Sequence, residues 1–148
     1  MKVSFTKGLH KLDRMEIERA DGLRESIDCP KQRIIPHDMV HFGVESVLRK
    51  RGFMTRVKDG EAASYRMGAE PEADAVERLV EIMQGDAWSG GTTDAHAMLD
   101  LYRVTCDARA CPCLPVTVDD IETLRRTLVA LDVQWQAVPV GGTLRLEM

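Results

Sequence analysis

The spacing of apolar residues changes twice along this chain, and that change restricts its fold more than any other feature. Near the N-terminus, apolar and polar residues alternate, first around Val3 and Phe5 and then around Met15 and Ile17. Such alternation is typical of strands with one buried face. Asp21-Gly22 is a turn signal, so we predict three antiparallel strands that follow one another as a meander.

In the middle of the chain, apolar residues instead recur at helical spacing, which predicts about four helices. The expected boundary residues are Pro36 and Gly52 for the first helix, Pro71 and Gly85 for the second, and Thr117 as the N-cap of the fourth. The basic run Arg49–Arg51 is interpreted as the last turn of the first helix, where positive charge complements the helix dipole. Residues 53–70 match neither pattern clearly, and residues 53–68 are compatible with a short strand or a helix followed by a polar loop, so we assign no element there.

Alternation returns at the C-terminus and predicts a hairpin. Val133, Trp135 and Ala137 form its first strand, Gly141-Gly142 its turn, and residues 144–148 its second strand. Strands at both ends with helices between them are typical of the α+β class. We therefore predict one domain over residues 1–148, an antiparallel sheet built from the N-terminal strands and the C-terminal hairpin, with the helices packed on one face.

Composition and charge restrict the partners. A net charge of -4 and a pI of about 5.6 argue against a nucleic-acid binder, which usually carries a basic face. The chain has no apolar run of about 18 residues, so no membrane partner is expected. The first twenty residues lack the apolar core of a secretory signal. We expect a cytoplasmic protein with reduced cysteines and with another protein or a small molecule as its partner.

The segment His37-Asp38-Met39-Val40-His41, followed by Glu45, is the strongest candidate site. Residues four apart on a helix share one face, so His37 and His41 are predicted to point at one ion. Two imidazoles and a carboxylate suit Zn²⁺ or another divalent metal. Glu45 is the candidate third ligand or an orienting group. Asp38 stands where the HExxH helix of zinc hydrolases carries its general base, and is the candidate catalytic group.

A structural interpretation of the same residues stays open. An acidic residue in a first helical turn is stabilised by the dipole, and histidine is often buried with a hydrogen bond and no metal. No other segment carries a strong catalytic signature. The sequence therefore favours a non-catalytic binding or interaction module, and a metal-dependent hydrolase that uses the face of His37, His41 and Glu45 is the alternative.

The stretch IIPHDMVHFGVE resembles a motif, roughly Pro-His-Asp-x-x-His-Phe-x-Val-Glu, of a group of uncharacterised bacterial proteins. The tail WQAVPVGGTLRLEM is similar to the end of the same group, where a Trp precedes a Pro-x-Gly-Gly turn and a last strand. Residues 53–117 have no counterpart in the resemblance. It implies a bacterial origin and directs attention to the histidine motif, but it implies no reaction.

Two other segments are weaker candidates. Cys106, Cys111 and Cys113, with Cys29, supply thiols, but their spacing differs from that of a zinc knuckle, and Cys106 falls on an apolar stripe. We therefore expect Cys111 and Cys113 to be dispensable for folding. The run Ser89–Thr93 is Gly-rich and precedes a helix, but it lacks the Lys of a phosphate-binding loop. It is interpreted as a flexible loop with a threonine cap.

Overall fold

A computed structural model of the chain describes residues 1–64 and 67–148. Its strands are β1 (Lys2–Thr6), β2 (Leu12–Glu18), β3 (Arg24–Pro30) and β4 (Thr143–Glu147). Its helices are α1 (His37–Leu48), α2 (Phe53–Lys58), α3 (Pro71–Trp88), α4 (Ala95–Ala108) and α5 (Val118–Gln136). The strands form one antiparallel sheet in the order β3-β2-β1-β4.

The sheet has one buried face and one exposed face, as the alternating pattern predicts. Val3 and Phe5 of β1 lie opposite Ile17 and Met15 of β2, and all four side chains are buried. The residues between them point to the solvent. The helices cover the buried face, so the core lies between one sheet and one helical layer.

Helix α1 is central in the helical layer and packs against both α3 and α5. Gly43 permits the approach to α5, because a Cβ atom there would lie 2.7 Å from Leu128 Cδ2. The packing of α1 against α3 places the N-terminal half of α1, with His37 and His41, beside Glu77 of α3.

The α+β class is confirmed, with the three N-terminal strands and the C-terminal strand in one sheet. The prediction of a first strand for the C-terminal hairpin, at residues 133–137, is wrong. Residues 133–136 are the last turn of α5, where Trp135 is 4% exposed and Val133 is 65% exposed. Trp135 continues the buried helical stripe through Leu128 and Leu131, so the alternation over this short stretch is incidental. Strand β4 pairs with β1 instead of a hairpin partner.

Several helix ends also differ from their predicted positions. Helix α1 ends at Leu48 with Arg49 in the left-handed conformation (φ 53°), and Gly52 is the N-cap of α2. The side chain of Arg51 forms ion pairs with Glu70, Glu61 and Asp59 in place of the dipole contact.

Two further helix boundaries were misplaced, whereas α3 begins at Pro71 as predicted. Gly85 lies inside α3, which continues to Trp88, and Asp94 rather than a threonine caps α4. The Thr117 cap of α5 is confirmed, and Asp120 completes a capping box.

The unassigned segment 53–70 contains the short helix α2, so the described chain has five helices rather than about four. Tyr65 and Arg66, in the same segment, lie outside the described residues. None of the helices in the described ranges combines the length and the apolar character that a membrane crossing needs.

Candidate metal centre

Three side chains from two helices converge on one point. His37 and His41 lie one turn apart on α1, and Glu77 faces them from α3. His41 Nε2 is 2.6 Å from Glu77 Oε2, and His37 Nε2 is 3.5 Å from Glu77 Oε1. One nitrogen or oxygen atom from each residue lies within 4.8 Å of the others. Ligand atoms of tetrahedral Zn²⁺ lie about 3.3 Å apart. To coordinate an ion, the His41–Glu77 pair at 2.6 Å has to open, and the wider separations, up to 4.8 Å, have to close.

The two histidines differ in their exposure. The His41 side chain is 3% exposed, whereas that of His37 is 39% exposed and that of Glu77 is 33% exposed. The imidazole rings meet edge to face, with their centroids 4.8 Å apart. The cluster is therefore anchored at a buried histidine and reaches the solvent through the other two groups.

Each imidazole is oriented through the nitrogen that faces away from Glu77. His37 Nδ1 lies 3.1 Å from Gln84 Oε1, and the same oxygen accepts a hydrogen bond of 2.8 Å from Gln32 Nε2. With Gln84 Oε1 as acceptor, the proton of neutral His37 sits on Nδ1 and the lone pair of Nε2 faces Glu77. Such a partner on the far nitrogen is typical of metal-binding histidines.

Glu45 holds the far nitrogen of His41. Its Oε2 is 3.1 Å from His41 Nδ1 and accepts the backbone N–H of Met54 at 3.0 Å. Its Oε1 accepts the backbone N–H groups of Gly52 and Thr55 and the Thr55 hydroxyl. The carboxylate thus caps the N-terminus of α2 while it orients His41. Glu45 therefore lies at the far nitrogen of His41, and Glu77 is the carboxylate that faces both histidines.

The carboxylates also set the charge of His41. Burial opposes a positive charge on this imidazole, but its hydrogen bonds to Glu45 and Glu77 outweigh burial and raise its pKa to about 9. Burial likewise opposes the charge of Glu77, and the hydrogen bond from His41 holds the pKa of Glu77 below its ordinary value. Both nitrogens of His41 face carboxylate oxygens, an arrangement that favours the positively charged imidazole.

Asp38 is not one of the three converging groups. Its Oδ2 lies 3.3 Å from the Cys29 sulfur, which donates its thiol hydrogen. Burial, followed by the negative charge of Asp38, raises the pKa of the Cys29 thiol far above its ordinary value. Asp38 and Cys29 both line the same cleft as the histidines.

That cleft has a volume of about 860 Å³ and lies between α1, the edge of β3 and residues 63–64. His37, His41 and Glu77 form part of its wall. An ion held by these residues would therefore be accessible to a molecule in the cleft.

Cys106, Cys111 and Cys113, the weaker candidates from the sequence, do not belong to the cluster of His37, His41 and Glu77. Cys106 is buried in α4, Cys111 is half-buried and Cys113 is exposed. Burial raises the pKa of the Cys106 thiol to about 12, and its contacts with Cys113 and Cys111 add to the shift.

The Gly-rich loop is organised by an acidic residue. Asp86 Oδ1 accepts the backbone N–H of Thr93 at 3.0 Å, and Asp86 also pairs with Arg125. The backbone N–H of Thr93 is therefore already bonded to a carboxylate within the protein.

Glu77 and Gln84 are the site residues that the sequence analysis missed. They lie seven positions apart on α3, hence on the same side of the helix. A polar pair on the border of an apolar stripe was the available signal. It could not identify the partner of the histidines, because α3 carries several acidic residues and only its packing against α1 selects one.

Comparison with known protein families, with curated proteins and with solved structures finds no match to this chain. The resemblance of the histidine motif to a bacterial group therefore stays a prediction.

Proposed function

We propose that the protein binds one divalent transition-metal ion through His37 Nε2, His41 Nε2 and the Glu77 carboxylate, and uses it for hydrolysis. The convergence of these three groups beside an open cleft carries the proposal. Two imidazoles and one carboxylate are a common ligand set for zinc in hydrolytic enzymes.

The charge of the cluster supports a cation at this point. With neutral imidazoles, Glu45 and Glu77 leave two negative charges around His41, and the Glu45 side chain is 0% exposed. A divalent cation balances both carboxylates and takes the place of the proton between His41 and Glu77. Three protein ligands leave a position for water, whose pKa a bound Zn²⁺ lowers to about 7.

The second candidate is the non-catalytic binding module favoured by the sequence. One observation supports it, namely that both nitrogens of His41 already have carboxylate partners without an ion. In that case Glu45, His41 and Glu77 form a buried hydrogen-bonded chain that fixes α1 against α2 and α3. Metal content distinguishes the two candidates.

The test uses untagged protein that has been stripped with a chelator and then titrated calorimetrically with Zn²⁺, Mn²⁺ and Fe²⁺. We expect one ion per chain, a higher melting temperature with metal, and loss of binding in Glu77→Gln and His37→Ala. The matched controls are Glu81→Gln, one turn further along α3, and His96→Ala on the exposed face of α4. Full binding in Glu77→Gln, or no binding by the parent protein, contradicts the metal centre.

The proposal includes a cytoplasmic location. All four cysteines are free thiols, which supports a reducing compartment. Bacterial origin is proposed on the motif resemblance alone.

A further inference from the structure

In the described part of the chain, strand β3 is at the edge of the sheet, and its outer edge faces the cleft of the candidate metal centre. Five consecutive residues of β3, Ser26–Pro30, line that cleft. Successive side chains of a strand point to opposite faces of the sheet. A cavity that touches all of them therefore lies alongside the strand and not above either face.

The hydrogen-bond pattern identifies which main-chain groups face the cleft. Lys31 N donates to Lys11 O, and Arg19 N donates to Leu23 O, at the two ends of the β2–β3 ladder. In an antiparallel ladder, hydrogen-bonded pairs alternate with pairs whose groups point outward. The register of β2 and β3 then directs the odd-numbered residues of β3 toward β2. The N–H and C=O groups of Ser26 and Asp28 consequently point into the cleft.

Pro30 agrees with this assignment. It occupies an even-numbered position of β3, where the missing N–H faces the outer edge and costs the ladder nothing. On the opposite wall, backbone groups of the nearby residues 61–63 bond to two side chains at the start of the β2–β3 ladder. Ala63 N donates to the Glu25 carboxylate, and Arg19 donates to Glu61 O. The backbone bonds of Glu61 and Ala63 thus go to Arg56, Arg19 and Glu25, and none of these bonds involves Ser26 or Asp28.

We propose that this edge binds an extended peptide, whose main chain pairs with Ser26 and Asp28 and passes His37, His41 and Glu77. Free N–H and C=O groups at a sheet edge are the recognition element for an added strand. An extended main chain supplies the matching groups whatever its side chains are, so the ligand class is a peptide segment without secondary structure of its own.

Cleavage of the docked peptide rests on the proposed function, because it needs the metal ion. Docking of the peptide at β3 does not need the ion. With metal bound, the oxygen of a water molecule adds to the peptide carbonyl carbon. The carbon–nitrogen bond breaks, and both protons of the water end on the leaving nitrogen, so that the amine departs in its ammonium form. The products are one new carboxylate and one new amine.

Docking is tested with a mixture of random-sequence decapeptides, capped at both ends, added to isotopically labelled protein. We expect the amide resonances of Ser26 and Asp28 to shift and those of Ser4 and Glu16 on the inner strands to stay. The double variant Ser26→Pro, Asp28→Pro removes the two outward N–H groups and leaves the ladder to β2 intact. It should bind about tenfold more weakly or worse, because two main-chain hydrogen bonds are lost.

The matched control is Ser26→Ala, Asp28→Ala, which loses the same side chains, including the bond from Arg14 to Ser26, but keeps both N–H groups. It should bind like the parent protein, and a decapeptide mixture with N-methylated backbones should not bind at all. Equal binding by the proline and alanine variants overturns the proposal, as does absence of binding at millimolar peptide. A cooperative melt of the proline variant verifies that it is folded.

Cleavage is measured separately, by mass spectrometry of the same mixture with the zinc-loaded protein. Docking with cleavage supports both proposals. Docking without cleavage supports the peptide edge and overturns the hydrolase. If the protein binds zinc but no peptide, the proposal of peptide binding at β3 is wrong and the proposal of a metal centre is retained.

Discussion

Glu45 is a buried carboxylate with several distinct donors, and this makes it the most constrained acidic residue of the site. Backbone N–H groups at the start of α2, the Thr55 hydroxyl and His41 all donate to it. Both of its oxygens are therefore engaged within the protein, and one of them holds the Nδ1 side of the His41 imidazole.

We predict that Glu45→Gln lowers the free energy of unfolding of the metal-free protein by about 3 kcal/mol, because an amide presents a donor to groups that are themselves donors. Urea denaturation measures this change. Glu81→Gln, at a partly exposed ion pair on α3, should change it by less than about 0.5 kcal/mol. A Glu45→Gln protein as stable as the control variant would show that the carboxylate is not needed to join α1 and α2.

The cysteines are predicted to react in the order of their exposure and thiol pKa. Cys113 is exposed, whereas burial raises the pKa of both Cys29 and Cys106. Since the thiolate is the reactive form, iodoacetamide at about pH 8 should modify Cys113 first and leave Cys29 and Cys106 unmodified in the folded protein. Peptide mapping by mass spectrometry follows each site. Early modification of Cys29 would contradict its buried pairing with Asp38.

At the scale of elements, the connection between α1 and α2 depends on a close backbone approach at Gly52. A Cβ atom at this position would lie 2.5 Å from the Glu45 carboxyl carbon and 2.7 Å from Val76 Cγ1. The φ of Gly52 is -112°, a value open to any residue. Glycine is therefore required here because there is no room for a Cβ atom, and not because of the backbone conformation.

Gly52→Ala is predicted to destabilise the protein by about 1–3 kcal/mol, because the new methyl group displaces a buried carboxylate. Gly85→Ala is the matched control, since nothing lies within 4 Å of a Cβ atom there. Gly85 lies inside α3, so alanine should stabilise the protein by roughly 0.5–1 kcal/mol. Thermal melts of both variants give the comparison, and a neutral Gly52→Ala would show that Glu45 can move without cost.

At the scale of the whole molecule, the chain ends are joined in the sheet. Strand β4 pairs with β1 along its full length, and the Met1 amino group donates to Met148 O. Leu144 and Leu146 pack against the core. The last strand is therefore an integral part of the domain.

Deletion of residues 142–148 should abolish cooperative unfolding, because it uncovers the edge of β1 and one side of the core. Calorimetry of the truncated protein measures this. The control is Arg145→Ala, which alters the exposed face of β4 and keeps its pairing, and it should melt like the parent protein. A truncated protein with the parent melting transition would contradict an integral β4.

Local patterns determined much of this structure. Alternation around Phe5 and Met15 specified the N-terminal strands, and helical spacing specified the stripes of α3, α4 and α5, because burial of one face imposes the period of the element. The spacing of His37 and His41 placed them on one face of α1 in the same way. These features need no knowledge of what lies opposite.

Tertiary packing decided the rest. Trp135 is helical because it completes a buried stripe on α5, although its neighbours alternate like a strand. Glu77 faces the histidines only because α3 packs on α1, and Glu45 turns to the other nitrogen of His41 because the start of α2 offers it a row of N–H donors. The spacing of residues in the sequence shows which side chains share a face of one helix or strand. Which side chain lies opposite them depends on how the elements pack, and this is known only from the folded structure.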